Sequence, residues 1–283
     1  MVGITYTKAL NMAALTAVLV NIPSNWLLIF HWNMGIAGAA IASSFSEACS
    51  LAVLAIRVSR IMDKRLYGLS WSFDKGVLLH VCRVSVWSMF YSFISVAPWF
   101  LFFVAIEHLG ELQLAVANIL RSISAMFFVI VSSFAATTGS LVSNLIGANE
   151  RKQVFPLCSR VIRLGYAIGL PLITLALVFY QPVVSVYTDN SNIVQTAWIP
   201  FVVMLLNYVF ALPGYVYMNA VTGTGATRTA FIFQAITIVA YLLYLWGLSY
   251  WDVPLAVYWT VEYLFVICLL YTSDAADDLT RVD

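Results

Sequence analysis

Uninterrupted apolar runs constrain this chain more than any motif in it, because about 20 such residues cross a hydrocarbon core about 30 Å thick. Eight runs of this kind fall at residues 8–30 (a), 35–57 (b), 77–106 (c), 112–146 (d), 160–187 (e), 197–222 (f), 229–250 (g) and 253–270 (h). They lack the period-2 alternation of a membrane barrel strand. Helices satisfy every backbone group inside the segment, so the expected fold is an all-α integral membrane protein. Composition agrees: of 283 residues, 62% are hydrophobic and 10% charged, and the mean hydropathy is +0.91. No secretory signal is visible, since run a is a full span and no small-residue cleavage site closes it. Cys49, Cys82, Cys158 and Cys268 sit in or beside apolar runs without metal-type spacing and read as buried thiols.

Charge sets the orientation. Short loops that keep Lys and Arg stay in the cytoplasm. With alternating spans, one side takes Lys8, Arg57, Arg60, Lys64, Arg65, Lys75, Arg83, Arg151, Lys152, Arg160, Arg163 and Arg228. The opposite loops, "HWNMG", "EHLGE", "YTDNSN" and "SYWDV", carry no Lys or Arg. Loops 58–77, 147–160 and 223–228 are therefore expected in the cytoplasm, and the net charge of +1 conceals strong sidedness.

The spacing Gly-x-Thr-x-Thr occurs at Gly3 and again at Gly225, 222 residues apart. Each copy opens a helix from the cytoplasmic side, and each helix ends before an external Trp-Asn or Trp-Asp pair, Trp32-Asn33 and Trp251-Asp252. Such duplication in one orientation fits two parallel halves about an axis along the membrane normal. The second half then starts near Gly76, and the matching stretch before Gly3 is absent. A two-lobe chain with six helices per lobe would thus place roughly 145 further residues and four helices ahead of Met1. On this reading residues 1–60 are the last two helices of the first lobe and 61–76 a cytoplasmic linker. Residues 77–267 form a six-helix second lobe. The tail "CLLYTSDAADDLTRVD", residues 268–283, is similar to a translated transposon-type sequencing adapter and is set aside from the fold.

Three motifs carry a family resemblance. "LAVANILRSISAMFFVIVSSFAATTGSLVSNLIGANERKQV", residues 114–154, resembles the first cytoplasm-directed helix and loop of a lobe in multidrug and toxic compound extrusion (MATE) transporters. In that family "LAAHQI" opens the helix and a small-residue run closes it. "NAVTGTGATRTAFI", residues 219–232, is similar to the family's "LRGAGDTRTP" link, and "MGIAGAAIASSFSE", residues 34–47, to its "G-V-A-G-A-A-L-A". The likeness runs from Met1 to about Ile267 and fits a Bacteroidetes-like branch best. It implies a V of two six-helix lobes that exports small amphipathic or cationic substrates by alternating access. Entry of H⁺ or Na⁺ drives the export, with no other cofactor. It also implies a monomer in the bacterial inner membrane, with the lipid bilayer as its surroundings and no nucleic-acid partner. Some members hold a cation with a glutamate on helix c and an aspartate on helix f; Ser95 and Ala211 stand near those positions here.

Charges inside a bilayer cost roughly 2.5 to 3.5 kcal/mol each on insertion scales, so an intramembrane charge is a site candidate. At 1.5 Å per residue from the external ends, Glu47 lies about 18 Å deep, Arg121 about 16 Å and Glu262 about 13 Å. Arg121 and Glu262 share a lobe. Superposing Trp32 on Trp251 maps Glu47 to Val266, one turn past Glu262 and on the same face. The alternatives are a structural ion pair and a carboxylate that exchanges a proton for substrate. Glu107, His108 and Glu111 read as solvated rim charges. Asn118, Asn207, Tyr208, Asn219 and Thr222 are uncharged polar groups that either bond across helices or line a cavity. The aromatics of helix c, from Trp87 to Phe103, go almost all round the helix. Pro98 in helix c and Pro213-Gly214 in helix f weaken the backbone ladder and are candidate bends.

"TGTGATRTA", residues 222–230, lacks both phosphate-loop spacings and reads as a hinge. Gly223 and Gly225 turn the chain, Thr227 or Thr229 caps helix g, and Arg228 anchors the turn. An enzyme is not expected, because His31, His80 and His108 fall near span ends in no catalytic pattern. The alternative within the same superfamily is a lipid-linked oligosaccharide flippase. Its cavity needs several basic residues, whereas only Arg121 is at depth.

Overall fold

The computed structural model describes residues 7–61, 74–251 and 253–281. The Gly3 copy of the repeat, residues 62–73 of the linker with Lys64 and Arg65, and Asp252 lie outside the described residues. Every regular element among those described is helical: α1 (Thr7–Trp26), α2 (Gly35–Ile61), α3 (Lys75–Glu107), α4 (Glu111–Gly147), α5 (Val154–Val178), α6 (Tyr180–Ser185), α7 (Ser191–Thr196), α8 (Trp198–Leu206), α9 (Tyr208–Gly223), α10 (Thr227–Tyr250), α11 (Leu255–Tyr258) and α12 (Val261–Arg281). A π-helical turn, Leu27–His31, extends α1, and a 3₁₀ turn, Arg151–Gln153, precedes α5. Seven helical stretches are long and apolar enough to span a membrane, and the eighth apolar stretch, Leu255–Tyr271, is shorter.

The chain divides into two compact units, Met1–Lys75 and Gly76–Asp283. In the first, α1 packs along α2. A polar ladder ties them: Asn25 Nδ2 donates to Asn21 Oδ1 at 2.8 Å, and Asn21 Nδ2 donates to Ser46 Oγ at 3.3 Å. Lipid tails are as apolar as leucine, so helices in a bilayer hold together by close contact and by such bonds.

In the second unit α9 is the central helix, packed on α4, α5 and α12. Small residues allow the approach. Gly165 and Gly169 form a Gly-x-x-x-Gly face on α5, and a Cβ at Gly169 would coincide with the ring of Tyr208. Across that face the Tyr208 hydroxyl donates to the Gly165 carbonyl at 2.9 Å. On the other side Gly139 of α4 meets the Asn219 carbonyl, Gly223 meets the Gly139 carbonyl, and Ser143 Oγ donates to the Gly223 carbonyl at 2.7 Å. Outward-facing large side chains such as Phe93, Phe100, Leu243 and Trp246 remain exposed, as a lipid-facing surface requires.

Within runs f and h the helical irregularities fall where no Pro or Gly marks them. Pro213 and Gly214 sit inside α9 without interrupting it. Pro213 has no N–H to give the Val209 carbonyl four residues back. That carbonyl instead accepts the Tyr166 hydroxyl of α5, so the ladder's missing bond is replaced from outside. Run f has instead a one-residue irregularity at Asn207, between α8 and α9, where the dihedrals stay right-handed helical, and run h a tight turn at Trp259-Thr260, between α11 and α12. Pro98 likewise lies within a continuous α3. At the 222–230 turn Gly225 takes φ +86°, a left-handed conformation suited to glycine. The expected threonine cap is corrected: Ala226 occupies the N-cap of α10 and no side chain caps it, because the helix starts at Thr227 itself. The Arg228 guanidinium lies 5.7 Å from the centroid of Trp87.

Candidate functional site

The two irregularities border one cavity. This cavity, of about 80 Å³, lies in the second unit. It is bounded by Trp99 of α3, Ser124 and Phe128 of α4, Asn207 at the α8–α9 break, Ala211 and Tyr215 of α9, Trp259 at the α11–α12 break, and Glu262 of α12. Among the described residues Glu262 is the one charged residue in its wall.

Glu262 sits one turn after Trp259, and its backbone N–H returns to the Trp259 carbonyl at 3.3 Å. The carboxylate Oε1 accepts the hydroxyl of Tyr241, on α10, at 3.4 Å. The same hydroxyl is 3.4 Å from the Pro98 carbonyl on α3, so one buried tyrosine joins three helices. Asn207 Oδ1 and Trp259 Nε1, atoms of two residues that border this cavity, are fully buried and have no hydrogen-bond partner among the described residues. Trp259 is only 2% exposed. Its indole is held edge-on against Trp99 and Phe102, with centroids at 6.3 and 5.3 Å.

The structure brings together Asn207, Tyr208 and Glu262 of the charged and polar candidates, with Trp99 of the helix c aromatics and Ala211. It places the others elsewhere. Arg121 is exposed on α4, its guanidinium 5.3 Å from the centroid of Phe103, and no ion pair joins it to Glu262 among the described residues. Glu47 is exposed on α2 in the first unit. Asn118 is exposed and bonds the Leu114 carbonyl of its own helix at 3.0 Å. Asn219 bonds the Tyr215 carbonyl at 2.9 Å and packs α9 on α4. Thr222 bonds the Asn219 carbonyl at 2.9 Å. At the rim, His108 Nε2 lies 3.4 Å from the hydroxyl of Tyr258. Ala211, one of the positions flagged by the family resemblance, lines the same cavity as Glu262, whereas Ser95 bonds the Tyr91 carbonyl of its own helix at 2.7 Å.

Sequence reasoning missed Trp259, Tyr215, Tyr241 and the Asn21–Asn25–Ser46 ladder of the first unit. Nothing distinguishes these tyrosines and this tryptophan in a chain holding 15 Tyr and 9 Trp. The ladder was within reach, since two asparagines four residues apart in an apolar run share one helix face.

The MatE family model matches residues 85–246, more than half of the chain. Among curated relatives, Protein DETOXIFICATION 8 of Arabidopsis thaliana is 25% identical over 176 residues, which is 60% of this chain and 36% of that protein. The crystal structure of the Vibrio cholerae MATE transporter VcmN, in a mutant form, superposes with a TM-score of 0.87 at 15% identity, covering 100% of this chain and 64% of that one. A MOP superfamily transporter from Pyrococcus furiosus, described as having a binding pocket of reverse polarity, superposes at 0.78 and 18% identity, covering 95% of this chain and 61% of that one. The chain thus spans between about a third and two thirds of the length of these relatives.

Proposed function

Because the chain belongs to the MatE family of transporters, and is a multi-pass membrane protein by its seven long apolar helices, we propose that it is part of a secondary active exporter of amphipathic or cationic compounds. The whole two-lobe transporter works by alternating access in a bacterial inner membrane, with the cytoplasmic loops on the Lys- and Arg-rich side. Counter-flow of H⁺ or Na⁺ drives it. The observation that carries this reading is a single carboxylate, Glu262, facing a small cavity that holds no basic side chain among its lining residues. A desolvated carboxylate with no cationic neighbour binds a cation, whether a proton, a sodium ion or the charged head of a substrate, and it binds one at a time. That exclusivity is the elementary requirement of exchange.

Ala211 sharpens the assignment. Where the family resemblance leads one to expect an aspartate on the second-lobe helix f, this chain has a methyl group, and the acid faces the same cavity from α12 instead. A lipid-linked pyrophosphate would meet repulsion from Glu262 and no positive side chain, so the flippase alternative is the weaker reading. Arg121 does not enter this site; its position over Phe103 suits a structural cation–π contact.

Transport of a fluorescent cation, followed in vesicles containing the whole two-lobe transporter with imposed pH or Na⁺ gradients, tests the proposal. Glu262→Gln is expected to abolish the response to the driving gradient. Gradient-driven transport unchanged by that substitution would remove Glu262 from the coupling role.

A further inference from the structure

We propose that Arg121 is a binding point for the carboxylate of a small organic anion, set on a water-lined face of α4 and separate from the Glu262 cavity. The inference does not rest on the reading of Glu262. It starts from two kinds of exposed surface in the second unit. The exposed positions of α10 are large and apolar, among them Ile236, Val239, Leu243 and Trp246. That surface suits lipid. The exposed positions of α4 include instead Asn118, Ser122, Ser133, Thr137 and Ser143, with Ala125 and Ala136 between them. At 3.6 residues per turn they fall within about a third of the helix circumference. Met126 and Val129 interrupt this stripe at mid-length.

The hydroxyls of Ser122, Ser133, Thr137 and Ser143 bond to carbonyls of their own helix, which a lipid-facing surface would tolerate. The charge at the edge of the stripe decides the matter. Arg121 lies about 16 Å along α4 from Gly110. A charge within a span faces either the bundle interior or water. Arg121 is exposed, so the interior is excluded and water remains. Its guanidinium lies 5.3 Å from the centroid of Phe103 on α3, and among the described residues its side chain has no acidic or carbonyl partner. A ring takes up one face of the guanidinium plane and leaves the in-plane N–H fork open. Two parallel N–H groups in that fork match the two oxygens of a carboxylate. A phosphate monoester, with close to two negative charges, would call for a second cation, and α4 carries no other Lys or Arg. Ser124, three residues after Arg121, and Trp99, four before Phe103, both border the Glu262 cavity. Arg121 therefore stands one turn outside that cavity, toward the Gly110 end of α4.

The test compares benzoate with benzamide, which keeps the shape and a carbonyl acceptor but carries no charge. In equilibrium binding to the full chain in detergent, the wild type is expected to favour benzoate by about threefold to tenfold, between what an exposed ion pair and a charge-assisted hydrogen bond contribute. Arg121→Met should erase that preference, and Arg121→Lys, which keeps the charge without the fork, should retain part of it. A second measurement leaves Arg121 in place. In phosphatidylcholine vesicles and a background without native cysteines, the Ser122→Cys chain should react with a water-soluble maleimide added on both sides, whereas the Leu243→Cys chain should not. Benzoate should slow that reaction and benzamide should not. Equal binding of the two probes by the wild type, or a preference for benzoate that survives Arg121→Met, overturns the site. An unreactive Ser122→Cys chain, or one that benzoate and benzamide protect alike, overturns it as well. The first comparison needs only the unaltered chain, so no variant has to fold for the proposal to fail.

Discussion

Tyr208 and Gly169 show how closely single residues are matched in this lipid-embedded core. The tyrosine ring occupies the space a Cβ would take, and its hydroxyl closes a bond to the next glycine along the same face. Gly169→Ala is therefore expected to destabilise the second unit by about 1–3 kcal/mol, the usual cost of forcing a methyl group into a filled site. Gly147→Ala is the matched control, since a Cβ there meets nothing within 4 Å. Thermal unfolding in detergent should show a lowered midpoint for the first and little change for the second. Tyr241 works at the same scale: its one hydroxyl hydrogen faces both Glu262 and the Pro98 carbonyl. Tyr241→Phe should leave the fold intact and weaken cation binding severalfold, about what a single hydrogen bond to a charged group contributes, as read by titration with a cationic probe.

At the scale of the helix, α9 explains why a proline did not mark the break. The carbonyl that Pro213 leaves without a donor, at Val209, is taken by Tyr166. Tyr166→Phe alone should remove that carbonyl's donor and cost about 0.5–1.5 kcal/mol, the net worth of one hydrogen bond. In a Pro213→Ala background the restored backbone N–H should reduce the cost of the same substitution, and a double-mutant cycle on unfolding measures the difference. The physics of proline is local, but the answer to its missing bond came from a helix some forty residues away in sequence. This long-range compensation is what periodicity could not display. Asn207 and Trp259, where the irregularities fall, carry no such marker. Glu262 was singled out as a charge in an apolar run, but the same reasoning also chose Glu47 and Arg121, which are exposed and do not border the cavity. Asn207 and Tyr208 were legible as polar groups, though not their convergence. The aromatic walls stayed hidden because aromatic residues are common throughout the chain.

At the scale of the whole molecule, the basic residues and the apolar runs specify one threading through the membrane. A reporter cysteine placed in residues 149–152 should be labelled from the cytoplasmic face only, and one in residues 188–190 from the external face only, by an impermeant maleimide in a background without native cysteines. Labelling of both positions from one side would break the alternation on which the sidedness argument rests. The all-helical fold and its membrane character were readable from composition and run length alone, since lipid leaves the backbone few options. What makes the molecule a candidate exporter, however, is the pairing of that scaffold with one acid in one small cavity. Equilibrium binding of N-benzylethanolamine to the wild-type chain and to Glu262→Gln, with pH and Na⁺ varied separately, tests this most directly. A carboxylate must be ionised and unoccupied to accept the amine. Wild-type affinity should therefore fall as pH is lowered, or as Na⁺ is raised at fixed pH, whereas the glutamine variant should bind more weakly and lose that competition. Identical affinity and identical competition in the two proteins would contradict the account.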